Sequence, residues 1–367
     1  MASVVIAMGG MMEKKRIVVA MSGGVDSSLS AALLLEQGYE VIGMTMRLSE
    51  ETRAASPDAL SSVEDARRVA DVLGIRHYVM DFTAMFEETV IDYFLSEYQC
   101  GRTPNPCVVC NRHIKFGKLL HEAERLGAAY IATGHYARID CGEDGIYRLR
   151  KGQDPEKDQS YVLYSLDQNS LAHVCFPLGS FSKQETRSLA EAYHLPVAHK
   201  TESQEICFIP NDDYKSYLRQ HRPESVRAGD IVDATGNVLG RHAGVSFYTI
   251  GQRKGLGIAA SQPLYVTALD AQENRVVVGT SDAVYAQELR AVDLNWTMWD
   301  ALSEERIVKA KIRYGKRESE ARIAPLADGA LQVRFTEPQR AVTPGQSIVF
   351  YEDDVVLGGG VIDKVTA

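Results

Sequence analysis

The chain has 367 residues, 45% of them hydrophobic, and a formal net charge of −9, enough material for two or three domains with substantial cores. Lys, Arg or Glu interrupts every apolar run well before the roughly 18 residues a membrane span requires, so a bilayer protein is excluded. Six cysteines are too few and too unevenly spaced for a disulfide scaffold and suit a reducing cytoplasm, where a thiol can be kept for chemistry.

The first segment, "MASVVIAMGGMM", is apolar but has no basic n-region and runs straight into Glu13, Lys14 and Lys15. It predicts a tail over 1–14 rather than a signal peptide, with Met11 or Met12 as alternative starts. "RIVVAM" at 16–21 is a short β-branched run that stops at Ser22 and Gly23, and "SSLSAALLLEQG" then sets apolar residues at helical spacing until Gly38. The unit recurs. "YEVIGMTM" reads as a strand, 57–73 as a helix, "RHYVMDF" as a strand, 84–98 and 111–126 as helices, and "AAYIATGHY" at 128–136 as a further strand. This alternation predicts an α/β fold with a parallel sheet, helices on both faces and ligands at the carboxyl ends of the strands.

After Pro210 the pattern changes to short alternating runs with turn signals, as in "DIVDATGNVLG" and "LYVTALDAQENRVVVG". The expected organisation is a tail over 1–14, a catalytic α/β domain over 15–210, a small mixed central domain over 211–280 and a C-terminal β-barrel or sandwich over 281–367.

The negative net charge argues at first sight against a nucleic-acid partner, but it is unevenly spread. Residues 48–98 hold eleven Asp or Glu against four Arg, a balance of −7, whereas 306–322 hold seven Lys or Arg against two Glu, a balance of +5. A local basic face is therefore available, although either run also suits an ordinary solvated surface.

"SGGVDS" at 22–27 follows a strand and opens a helix. Gly23 and Gly24 let backbone N–H groups approach an anion, the helix N-terminus adds its positive dipole end, and Ser22 and Ser27 add hydroxyls. Asp26 is placed to position Mg²⁺ bridging phosphate oxygens. No Lys follows, so this is not a Walker A loop. A tight strand-to-helix turn with an Asp cap is the plainer reading, but the six residues match the pyrophosphate loop of the ATP pyrophosphatases, which split ATP between its α and β phosphates. "GLGIAA" at 255–260 fits a dinucleotide pattern but lacks the following helix, and reads as a turn.

Five further stretches join the loop: "GRTPNPCVVCNRHIKF" (101–116), "ATGHYAR" (132–138), "KDQSYVLY" (157–164), "ESQEICFIP" (202–210) and "YTIGQRKGLG" (248–257). Together and in this order they resemble the tRNA-specific 2-thiouridylases over nearly the whole chain. The resemblance implies an adenine-nucleotide alpha-hydrolase-like domain at the N-terminus. It implies ATP and Mg²⁺ as co-reactants, with Ala20, Met21, Ser22, Gly23, Gly24, Val25, Asp26, Ser27, Met46 and Gly134 at the nucleotide. It also implies a reaction in which ATP adenylates the C2 oxygen of the wobble uridine. Cys207 carries sulfur as a persulfide, and Cys110 attacks and releases it as a Cys110–Cys207 disulfide. Thiolates do this work, so both cysteines are expected where positive charge or a helix N-terminus lowers their pKa. By the same resemblance Asn105, Pro106 and Cys107 touch the target base. His135, Lys157, Asp158, Gln159, Arg313, Tyr314 and Gln346 meet the tRNA around its anticodon, and a cysteine desulfurase or sulfur-relay protein supplies the sulfur.

One departure stands out: many members of that family carry Asp where this chain has Cys107. The change creates Cys107-x-x-Cys110, which with Cys207 offers three thiolates for a [4Fe-4S] cluster. A structural zinc would need a fourth ligand such as His113. We rank persulfide chemistry above the cluster and the cluster above zinc. Cys100, Cys141 and Cys175 have no motif around them and read as buried inert thiols. His135 taken alone reads as a structural histidine, and Arg253 and Lys254 suit either a phosphate or a solvated turn. Competing functions are another adenylating ligase, which has no need of Cys110 and Cys207, and a non-catalytic tRNA-binding protein with a structural metal.

Overall fold

The computed structural model describes residues 15–48, 57–201 and 206–366. The tail over 1–14, with its alternative starts, and residues 202–205 of the "ESQEICFIP" stretch lie outside the described residues.

The N-terminal half follows the alternation in the sequence. β1 (Arg16–Ala20) leads through the glycine loop into α1 (Val25–Glu36), then β2 (Glu40–Arg47), α2 (Pro57–Leu73) and β3 (Arg76–Asp81). Two long helices follow, α3 over 83–99 and α4 over 106–125, then β4 (Tyr130–Ala132), β5 (Ala137–Cys141), β6 (Tyr147–Lys151), α5 (Gln168–Ala172), β7 (Val174–Cys175) and α6 (Lys183–Ala192). The sheet runs β3-β2-β1-β4-β7, all pairs parallel. Successive residues of β1 point to opposite faces. Ile17 and Val19 pack with Leu29, Ala66 and Val69 of α1 and α2, whereas Val18 and Ala20 pack with Phe86, Phe94 and Ile114 of α3 and α4. Helices therefore cover both faces, and a short fifth strand, β7, adds to the four the sequence suggested.

α7 (Tyr214–His221) leads to a four-stranded mixed sheet made of β8 (Gly229–Val232), β9 (Val238–His242), β10 (Tyr265–Asp270) and β11 (Arg275–Gly279), in the order β10-β11-β8-β9. Residues 255–260 form no helix, in keeping with a turn there. The remaining strands, β12 (Tyr285–Trp296), β13 (Arg306–Lys311), β14 (Ser319–Pro325), β15 (Leu331–Arg340), β16 (Ser347–Glu352) and β17 (Val355–Thr366), close into a six-stranded barrel through the β12–β17 pairing. Phe335, Ile323, Val333 and Phe350 fill it, each at most 1% exposed.

One connection was not visible in the sequence. The β5–β6 hairpin leaves the N-terminal half and extends the barrel sheet, with Arg150 opposite Val355 of β17. Arg138 and Arg150 each reach Asp354 at 2.7 Å, and Lys151 reaches Glu318 at 2.7 Å. No helix among the described residues is long and apolar enough to cross a membrane.

Candidate active site

The glycine loop joins β1 to α1 at the carboxyl edge of the sheet. Ala20 and Met21 are buried at 8% and 2% exposure, and Met21 N–H is tied to Met44 O at 2.8 Å. Ser22 N–H donates to Ser27 Oγ at 3.1 Å, and Ser28 Oγ donates to Gly24 O at 2.8 Å, so the loop is braced by its own hydroxyls. Gly23 needs its glycine. Its φ is +70°, and a Cβ there would stand 2.1 Å from Ser62 O of α2. Gly134, after β4, lies so close to α1 that a Cβ would stand 2.8 Å from the Asp26 backbone and from Ser27 N. Val25 is buried in the first turn of α1, and Met46 is half-buried at the end of β2. All ten residues expected at the nucleotide thus belong to the carboxyl edges of β1, β2 and β4 and the start of α1.

Three residues that the motifs did not single out complete this edge. Asp26 Oδ1 accepts from Lys183 Nζ at 2.7 Å and from Tyr136 OH at 2.9 Å. Lys183, on the first turn of α6, is buried enough that desolvation outweighs its carboxylate partner and lowers its pKa. Lys200 Nζ donates to Gly23 O at 3.2 Å and to Asp65 at 2.6 Å, fastening the loop to α2. A loop without a Walker lysine therefore has two ammonium groups at its rim, brought from 157 and 177 residues along the chain. The donor set suits a phosphate chain. It also suits Mg²⁺, which the Asp26 carboxylate would hold.

The cysteine pair is helical: α4 begins at Pro106, ahead of the helix expected from 111, so Cys107 sits in its first turn and Cys110 one turn on. Proline at the first helical position explains the start, because the N–H it lacks would have no partner there. From Asn111 to Lys118 the helix is a π-helix. Its wider turn leaves residues five apart closer in direction than the about 140° of an α-helix, and the Lys115 charge acts on Cys107 and Cys110. Cys207 is set by its neighbour. The Phe208 ring packs edge-on against Phe86 and Phe94 of α3 and against Tyr217 of α7.

The three thiols meet electrostatically. Cys110 is 7% exposed, whereas Cys107 and Cys207 reach the surface. Desolvation pushes Cys207 up to about 12, with Cys110 and Cys107 adding to the rise and Lys115 opposing it. Desolvation also raises Cys107 and Cys110, again against Lys115. The expectation of depressed thiol pKa values is therefore reversed. Desolvation outweighs the one opposing lysine, so the shift favours the thiol over the thiolate.

Among the described residues no group of three or more His, Cys, Asp or Glu side chains is placed to hold a metal, so Cys107, Cys110 and Cys207 do not form a ligand set. The iron–sulfur alternative is not favoured, and the zinc reading with His113 has no ligand group either. The buried-thiol expectation fails for Cys100 and Cys141, which are exposed, while Cys175 is part-buried with burial raising its thiol to about 11.

Comparison with known proteins decides the family. Residues 15–211 match the tRNA methyl transferase HUP domain, 215–280 the tRNA methyl transferase PRC-barrel domain and 286–362 the aminomethyltransferase beta-barrel domain. The chain is 50% identical over 360 residues, 96% of its length and 98% of the relative's, to the tRNA-specific 2-thiouridylase MnmA of Pelotomaculum thermopropionicum. It is 52% identical to the tRNA-specific 2-thiouridylase MnmA 1 of Caldanaerobacter subterraneus subsp. tengcongensis, covering 95% of this chain and 98% of that protein. The chain belongs to the tRNA-specific 2-thiouridylase family.

The other residues expected from the resemblance are placed as follows. His135 follows Gly134. Its Nδ1 pairs with Thr133 Oγ1 at 2.6 Å, its ring lies between Phe116 and Phe176, and desolvation with the Lys115 charge holds it neutral. Lys157, Asp158 and Gln159 lie beside it, because Gln159 exchanges bonds with the Tyr136 backbone at 2.9 and 3.0 Å. Lys157 is half-buried, and the Asp158 carboxylate is buried, accepting from Gly152 N, Ser160 N and Ser160 Oγ. From the barrel comes Tyr314, 45% exposed, its ring edge toward buried Tyr161 and its hydroxyl raised by burial and by the charges of Asp158 and Cys107. Arg313 is turned to Thr343 Oγ1 at 3.0 Å and to Ala341 O. Gln346 donates to Thr103 O and Pro104 O, just before half-buried Asn105 and buried Pro106. Arg253 and Lys254 are exposed on a turn of the central sheet.

Proposed function

We propose that this thiouridylase-family chain performs ATP-dependent 2-thiolation of the wobble uridine of tRNA, giving 2-thiouridine, AMP and pyrophosphate. Family membership supports ATP as the activating reactant and tRNA as the substrate. Uridine O2 attacks the α-phosphorus and pyrophosphate leaves along the loop at 22–27, where Ser22, Gly23, Gly24, Lys183 and Lys200 meet its charge. Mg²⁺ at Asp26 would add positive charge to the phosphate oxygens.

Cys207, the exposed thiol, takes sulfur from a cysteine desulfurase or sulfur-relay protein as a persulfide. Its terminal sulfur attacks C2, and AMP departs with the former O2. The Cys110 thiolate then attacks Cys207 Sγ, forming the Cys110–Cys207 disulfide as the S–S bond to the base breaks and its electron pair becomes the thiocarbonyl. A dithiol reductant returns both thiols. Cys110 is buried against this face, as suits a thiol that reacts only after sulfur arrives. Tyr314 offers an exposed ring for an unstacked base and Asn105, Pro106 and Cys107 line it, while His135 and Lys157 meet the anticodon region. The free cysteines suit a reducing cytoplasm.

The observation that carries this reading is the electrostatic influence of Cys110 on Cys207, 97 residues apart in sequence. Cys110→Ser and Cys207→Ser are each expected to abolish the slow-migrating thiolated tRNA on a mercury-containing gel while leaving tRNA-dependent pyrophosphate release. Asp26→Asn is expected to abolish that release. Undiminished thiolation in either cysteine variant would refute the relay.

A further inference from the structure

The stretch that leads into the Cys107–Cys110 helix is fastened from the far domain. Thr103 N–H donates to Pro344 O at 2.9 Å, and the Gln346 side-chain amide donates to two successive carbonyls, Thr103 O and Pro104 O, both at 3.0 Å. Between them Gly345 has φ +89°, and a Cβ there would stand 2.8 Å from Thr103 O and 2.9 Å from Glu97 Oε2, so barrel and loop touch backbone to backbone. Arg102 closes the other side, bonding Glu97 Oε2 at 2.8 Å and reaching Ile362 O and Asp363 Oδ1 at 3.3 and 3.4 Å.

The barrel segment is itself held in place. Gly345 N–H donates to Ile362 O and Ile362 N–H to Gln346 O, both at 2.8 Å, and Arg313 bonds Ala341 O and Thr343 Oγ1. A carboxamide has two N–H donors, and in Gln346 both are turned inward. They fix the Thr103–Pro104 peptide, and the residues that follow are Asn105, Pro106 and Cys107. Pro104 and Pro106 each lock a φ angle, so little slack separates the fastened peptide from the first turn of α4.

We infer that Gln346 is a positioning residue for the thiolation proposed above, holding residues 103–107, and through them Cys110, at the distance from the base that sulfur transfer requires. Its substitution acts on the chemical step before it acts on tRNA affinity, and the β-barrel becomes part of the active-site scaffold.

Gln346→Leu tests this, with Gly345→Ala as a second variant that disturbs the same contact from the backbone. Amide hydrogen exchange over residues 101–110 in tRNA-free protein is expected to quicken about tenfold, because two hydrogen bonds worth about a factor of ten together are lost. Single-turnover thiolation should slow about tenfold while the Kd for tRNA stays within about threefold. Unchanged exchange with the loss confined to tRNA affinity would overturn the inference and leave Gln346 a nucleic-acid contact. Quickened exchange in a protein whose unsubstituted form never thiolates tRNA would instead sink the proposed reaction.

Discussion

Lys183 and Tyr136 meet on a single oxygen: ammonium and phenol hydroxyl both donate to Asp26 Oδ1, at 2.7 and 2.9 Å. An acidic side chain that merely opened a helix would need neither. The arrangement holds the carboxylate in one orientation and parks a lysine at the edge of the glycine loop, ready to turn to a phosphate. Lys183→Met is expected to lower tRNA-dependent pyrophosphate release by at least tenfold, the scale of losing one charged donor from a transition state, with tRNA binding by filter retention unchanged. Unaltered release would assign Lys183 a purely structural part.

Among the described residues, Lys115 is the cation whose charge opposes the raised pKa of all three thiols. The sign is plain: a positive charge favours thiolate, so its removal drives the pKa values further up and the labelling onset to higher pH. Lys115→Met should slow iodoacetamide labelling of Cys110 and Cys207 at pH 8 by roughly tenfold, about one pH unit of displacement, while Lys115→Arg should restore most of it. Peptide mass spectrometry across a pH series reads this directly, and coincident profiles for the unsubstituted protein and Lys115→Met would dismiss the role.

Gly134 lies too close to the first turn of α1 for any side chain. Gly134→Ala forces the strand end and the helix apart, a cost of about 1–3 kcal/mol for overpacking. Thermal melting should show the loss, and an ATP analogue should stabilise the variant less than the unsubstituted protein. Equal stabilisation would mean that the nucleotide does not use this junction.

Cys107 is expected to be dispensable where Cys110 and Cys207 are not. With no ligand group around it, Cys107→Ser should keep thiolation within about threefold, since neither proposed sulfur-transfer step passes through it. Loss as complete as in Cys110→Ser would return Cys107 to the chemistry.

The strand, glycine loop and helix at 16–36 could be read from sequence because each is governed by local rules: β-branched residues, then glycines, then apolar residues at helical spacing. The switch to short alternating runs after Pro210 likewise announced the β-rich half. Other features depended on distant partners. The helix expected from 111 begins earlier, at Pro106. The π segment that carries Lys115 leaves no trace in an apolar pattern compatible with an ordinary helix. Nor does thiol pKa follow from composition, because the nearby lysine was visible but the desolvation that outweighs it was not. Lys183 and Lys200 are hidden for a similar reason, since nothing near them in sequence resembles a phosphate motif.

The β5–β6 hairpin has a consequence for dissecting the protein. Its strands supply an outer margin to a sheet whose other members come from the last third of the chain, so excision of that third would strip β6 of its neighbour. A shortened protein ending near residue 280 would present unpaired amide and carbonyl groups along that strand, a template for sticking to its own kind. Autonomy of the nucleotide-binding half is therefore not to be assumed when expression fragments are drawn.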